Sequence, residues 1–139
     1  MASFNKFNSF VEALAEKAHN LQSDVLKVML SNTAPSATNA VKTDITEITA
    51  GNGYTAGGTQ ATQVSSAQTT GTYKLVLNDV TFTAAGGSLA AFRYAVLYND
   101  TATNDELIGW WDYGSAVTIT NGNSFTVDFD GTNGVLTIA

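Results

Sequence analysis

The chain contains no cysteine among its 139 residues. A disulfide framework, a zinc–thiolate centre and a thiol nucleophile are thereby excluded. The compartment stays open, because a cysteine-free chain tolerates reducing and oxidising surroundings alike. Histidine occurs once, at His19, so HExxH and other multi-histidine metal motifs are absent. Its place near the end of an N-terminal helical pattern suits an interaction with terminal carbonyls. Proline also occurs once, at Pro35. Charge is scarce: 13% of residues are Asp, Glu, Lys or Arg, about half the usual share. Much of the surface must then be Thr, Ser, Asn, Gln and Gly. Such a surface costs less to desolvate against a partner than one of lysine and glutamate.

Basic residues are the scarcest charges. Six of them stand against twelve acidic ones, giving a net charge of −6. They are also scattered, as Lys6, Lys17, Lys27, Lys42, Lys74 and Arg93. Nucleic-acid binding needs clustered cations, so no nucleic-acid partner is expected. After Arg93 only acidic side chains follow: Asp100, Asp105, Glu106, Asp112, Asp128 and Asp130. No apolar run is long enough to cross a bilayer as a helix, and the N-terminus has no basic-then-apolar leader. Neither a membrane partner nor a classical secretion signal is expected.

What is present is a normal apolar fraction, 44%, in a chain the size of one domain. Phe4, Phe7, Phe10, Val11, Leu14, Ala18 and Leu21 recur every three or four residues and predict an amphipathic helix. Ser3 is its N-cap candidate, with a Ser9–Glu12 capping box as the alternative. Val25–Leu30 reads as a strand, ended by the turn-rich stretch Ser31–Asn39. Asp44–Thr49 could form a helical turn. Gly51, Gly53, Gly57 and Gly58 then bracket Tyr54, predicting an extended loop anchored by that ring.

From about Ala61 the period becomes two. Gln63–Ser66 and Thr72–Asn78 read as strands around a Thr70-Gly71 turn, with Tyr73, Leu75 and Leu77 sharing a face. Val80, Phe82 and Ala84 continue the alternation. In Ala90–Tyr98, the residues Phe92, Tyr94, Val96 and Tyr98 fall on one face, opposite Arg93, Ala95 and Leu97. Leu107–Tyr113, Ala116–Thr120, Ser124–Phe129 and Val135–Ile138 follow, separated by Asn and Gly turns. The expectation is a mainly β fold, an antiparallel β-sandwich or jelly-roll-like barrel with an N-terminal amphipathic α-helix. The helix would occupy residues 1–22, packed on its own sheet or on a neighbouring subunit. The sandwich would occupy 23–139, within a single domain overall.

Several segments together carry a resemblance. FNKFNSFVEALAEKAHNL, LKVMLSNTAPSATN, ITAGNGYTAGG, FRYAVLYNDT, LIGWWDYG and FTVDFDGTNGVLTIA resemble a family of small virion structural proteins of tailed bacteriophages. The similarity runs from Phe4 to Ala139. It implies an auxiliary capsid protein, of the decoration or cement kind, that binds the major capsid protein or another virion protein. Such proteins are often trimeric, so the resemblance implies a homo-oligomer, a trimer first. It also implies a location in the virion after assembly in the host cytoplasm. A tail- or fibre-associated module that binds host-surface carbohydrate is the alternative.

The conspicuous residues fit contact better than chemistry. Trp110 and Trp111 are adjacent, so in a strand they face opposite ways, one into a core and one outward. Phe4, Phe7, Phe10, Tyr54, Arg93, Trp110 and Trp111 are the interface candidates. Sugar stacking on Tyr54 or the tryptophans is the competing use. Arg93, inside an apolar strand, is expected to pair with a carboxylate such as Asp112 across the sheet or at a subunit boundary. DFDGTNG has part of a calcium loop in Asp128 and Asp130, but no glutamate closes it, and a Gly- and Asn-driven turn explains it as well. Glu47, Asp112 and Asp128 are the carboxylates a small glycoside hydrolase would need, yet no motif brings two together. No enzyme activity, cofactor or metal is expected.

Overall fold

The period-two stretches fold as antiparallel strands, and the computed structural model describes residues 2–139. Asn5–Lys6 forms β1, Ser9–Ala15 forms α1 and Leu26–Ser31 forms β2. A single 3-10 turn at Lys42–Asp44 precedes β3 (Thr59–Gln60), β4 (Gln63–Thr69) and β5 (Thr72–Leu77). The chain continues through β6 (Val80–Thr83), β7 (Phe92–Asn99), β8 (Leu107–Val117), β9 (Ser124–Val127) and β10 (Leu136–Ile138). The fold is mainly β and sandwich-like. A five-stranded sheet, β1-β8-β7-β2-β3, stands against a three-stranded sheet, β10-β5-β4, and the β6–β9 pair.

One face of the large sheet is the main core. Leu26, Val28 and Leu30 of β2, Ala95 and Leu97 of β7, and Ile108 and Trp111 of β8 pack against Leu75, Leu77, Val80, Phe82, Val127 and Leu136. Its other face carries a second cluster: Met29, Val96, Tyr98 and Leu107, covered by Phe7 and Ile45. Burial on both faces explains why β2 and β7 read as nearly continuous apolar runs.

The N-terminal helix is much shorter than its periodicity predicts, and this corrects the 1–22 helix. Asn5 and Lys6 form an extended strand, with Asn5 opposite Trp110 and Lys6 opposite Gly109 on β8. Gly109 decides this: a Cβ there would lie 2.1 Å from the Phe4 ring and 2.7 Å from the Asn5 carbonyl. The bare backbone lets the Phe4 ring lie against the strand, and an edge pairing replaces the first helical turns. Asn8, not Ser3 or Ser9, is the N-cap. After Ala15 the chain closes in a Schellman pattern, with Ala18 N–H bonding Ala13 O, Lys17 N–H bonding Leu14 O, and Lys17 at φ 69°. Val11, placed on the apolar stripe by spacing, is 54% exposed.

A second correction concerns β7. Phe92 joins Ala95 and Leu97 in the main core, while Val96 and Tyr98 face the other cluster. The pairing with β8 shifts register between Phe92 and Tyr94, opposite the stretch of β8 that contains Gly114 at φ 85°. Strict alternation is broken where the ladder is irregular, and Phe92 lies beyond that point. β8 continues the predicted strand 107–113 as far as Val117, one 11-residue strand that takes in only the first two residues of the predicted 116–120.

Asp44–Thr49 makes no helix beyond the turn at Lys42–Asp44; instead Glu47 bridges Ser31 on β2. Among the described residues no helix is long and apolar enough to cross a membrane.

Candidate functional site

The two tryptophans split as adjacent strand residues must. Trp111 is buried between Phe4 and Phe129, at ring separations of 5.4 and 5.3 Å. Trp110 points the other way, half-buried, 4.5 Å from the Phe7 ring. Phe7 and Phe10 are themselves buried in this chain's own clusters. The N-terminal phenylalanines therefore cover their own sheet, and only Trp110 and part of Phe4 remain at the surface.

Tyr54 is buried, at 3% exposure, and is no stacking platform. Its hydroxyl donates to Glu47 Oε1 at 2.6 Å and accepts the Leu30 N–H at 3.0 Å. Burial, together with the Glu47 carboxylate, pushes its ionisation well above the ordinary tyrosine range. The same Glu47 oxygen accepts the Gly57 N–H, and Tyr98 donates to Gly57 O at 2.7 Å. Gly58, at φ 77°, lies flat on β2, where a Cβ would fall 1.8 Å from the Val28 carbonyl. Glu47 is thus a structural tie between loop and sheet. The glycine loop is fixed from both sides.

Arg93 and Asp112 pair across β7 and β8 within one chain. Nε donates to Oδ1 at 2.7 Å and Nη2 to Oδ2 at 3.0 Å. The Arg93 bond and the Gly114 N–H hold the Asp112 carboxyl below the usual carboxylate range. Each side chain is 38% exposed, so solvent screens much of the attraction.

Asp130 spends its carboxylate on its own turn. Oδ1 accepts the N–H groups of Thr132 and Asn133 at 2.8 and 2.7 Å, and Oδ2 accepts the Asn133 amide at 2.8 Å. These bonds lower its pKa and make DFDGTNG a carboxylate-capped turn. Asp128 is exposed nearby. Among the described residues no three His, Asp or Glu side chains gather as a metal site.

His19, expected at a helix end, is instead buried in a polar network that no local pattern announces. Asn99, fully buried, accepts the N–H groups of Thr101 and Ala102 on Oδ1. That fixes its amide nitrogen as the donor, to Asp24 Oδ2 at 2.7 Å and to His19 Nδ1 at 3.0 Å. His19 therefore carries its proton on Nε2. Burial lowers its pKa, against the pull of Glu106 and Asp24.

Above this network lies an open groove of about 850 Å³, overhung by Ser66–Gln68 and Tyr73. No protein-family model, curated protein or solved structure matches the chain.

The outer strand faces carry hydroxyls in place of charges. On the β6–β9 pair, Val80, Phe82 and Val127 point inward, while Thr81, Thr83, Ser124 and Thr126 are exposed. Thr81 and Thr126 hydroxyls meet at 3.0 Å and those of Thr83 and Ser124 at 2.7 Å. The β4–β5 hairpin presents a similar surface, with Val64, Ser65, Ala67, Gln68 and Thr69 exposed. The sequence signal for both was the low charge fraction combined with alternation of Thr and Ser against apolar residues.

Proposed function

We propose that this chain is a non-enzymatic assembly protein that works by docking its uncharged strand faces on other proteins. The observation that carries the reading is the exposed Thr81–Thr126 and Thr83–Ser124 ladder, whose hydroxyls bond in pairs across the two strands. A face of paired hydroxyls gives up little hydration when covered, and its rigid sheet loses little entropy. The resemblance to virion proteins of tailed phages supplies the setting: an oligomeric auxiliary capsid protein bound to the major capsid protein. Repetition of the shell surface would multiply a modest affinity per contact. The carbohydrate-adsorption alternative needs a solvent-facing aromatic groove, and the burial of Tyr54 and Trp111 gives it no support.

The test is binding of purified protein to parent-phage shells stripped of it, followed by sedimentation and electron cryomicroscopy. Binding in a fixed ratio to the shell subunit is expected, weakened at least severalfold by a T81K/T126K double variant. A protein that ignores shells yet binds surface glycans tightly as a monomer would overturn the reading.

A further inference from the structure

Every β-sheet edge offers unpaired N–H and C=O groups, and proteins blunt such edges by shortness, charge or proline. Most edges here are short. β1 and β3 have two residues each, β10 has three, and β6 and β9 have four each. The exception is β4, seven residues long and the outer strand of its sheet. Its sequence, QVSSAQT, contains neither a charged residue nor a proline. Its backbone bonds go to β5 alone on one side, and among the described residues no other backbone bond reaches residues 63–69. Val64 within it is 59% exposed, the most exposed large apolar side chain among the described residues.

We propose that β4 pairs antiparallel with β4 of a second copy of this chain, joining two three-stranded sheets into one of six strands. The inference rests on the assembly reading above and names its first partner. The irregularity between Gln63 and Ser65 leaves Ser65–Thr69 as the regular run. A two-fold axis through Ala67 sets Ser65 against Thr69 and Ser66 against Gln68 of the second copy. No like charges meet there, which matters for a molecule with a net charge of −6. A foreign strand gains nothing from that neutrality that this strand does not already offer itself. Ser66 and Tyr73, bonded at 2.9 Å, hold the hairpin in shape before any partner arrives. The two-fold pair stands in place of the three-fold assembly implied by the resemblance.

The test is light scattering during size exclusion, on the wild-type chain and on Ala67→Lys and Ala67→Glu. Ala67 is exposed and faces Lys74 within the hairpin, so A67E adds an attraction in cis and keeps the hairpin folded. A wild-type mass of two 14.6 kDa chains is expected. Either variant alone opposes like charges at the axis and should self-associate roughly tenfold more weakly at low salt. Mixing A67K with A67E should restore a mixed pair. A wild-type monomer or trimer, or dimers indifferent to both variants, would overturn the proposal. Shell binding by a monomer would sink the pairing and spare the assembly reading. A dimer that ignores shells would do the reverse.

Discussion

The amide nitrogen of Asn99 lies 3.0 Å from Nδ1 of His19, and it holds that imidazole in one tautomer. Protonating Nδ1 would set two donors face to face in a buried site. Unfolded, the ring gains a proton near its ordinary value of 6.5; folded, it does so only at lower pH. Below 6.5 the unfolded chain therefore binds more protons, and stability falls with pH, whereas above 6.5 this contribution is complete. Urea unfolding midpoints should decline from pH 7 towards pH 5, and His19→Gln should flatten that decline. A wild-type midpoint constant across this window would refute the buried neutral ring.

Tyr54→Phe keeps the ring and removes one oxygen. Leu30 N–H and Glu47 then each lose a bond to the hydroxyl in a buried or half-buried place. A loss of about 1–3 kcal/mol in unfolding free energy is expected. Protease cleavage within residues 51–58 should rise with it, since the loop loses one of its three ties. Unchanged stability and cleavage would show that Glu47 and Tyr98 suffice.

Gly109→Ala should detach the N-terminal strand. The new methyl meets the Phe4 ring and the Asn5 carbonyl, and only the ring can swing away. We expect a loss of about 1–3 kcal/mol and faster tryptic cleavage after Lys6. The paired variant Phe4→Ala with Gly109→Ala should recover less than full stability, because the Asn5 contact persists.

Arg93→Ala should lower the melting temperature modestly, and less at high salt, because the pair with Asp112 is partly solvated. Arg93→Lys should recover only part of the loss, since a lysine cannot make the two-pronged contact seen here. The exchange R93D/D112R should recover more. Indifference of both folding and assembly to Arg93→Ala would remove any structural role for the pair.

The local parts of the fold were legible because short-range rules decide them. Thr70-Gly71, with φ 50° and 84°, is the two-residue hairpin turn that alternation on either side demanded. The inward set Tyr73, Leu75 and Leu77 followed from the same period. The Arg93–Asp112 pair was foreseeable, since an arginine in an apolar strand needs a carboxylate within reach. What escaped was decided by distant residues. Phe4, Phe7 and Phe10 have helical spacing, yet Gly109 on another strand receives the Phe4 ring and Asn5–Lys6 pairs there as a strand. Phe92 changes face where the pairing of β7 with β8 loses its regular register. His19 finds Asn99, 80 positions away, and no local pattern announces such a partner. For the surface, composition revealed that charge was missing, but only the sheet order revealed that β4 was left uncovered.

The order of strands in the large sheet also constrains how the chain comes off the ribosome. β2 has its register partner in β7, with Leu26 opposite Asn99, and β1 waits longer still for Trp110. Until those residues emerge, Leu26, Val28, Met29 and Leu30 have no strand partner except the two residues of β3. Folding must therefore be late and dominated by distant pairings, a slow regime in which an apolar segment stays open to misassociation. Nascent chains arrested before Asn99 should be held by chaperones, and release should coincide with the appearance of β7.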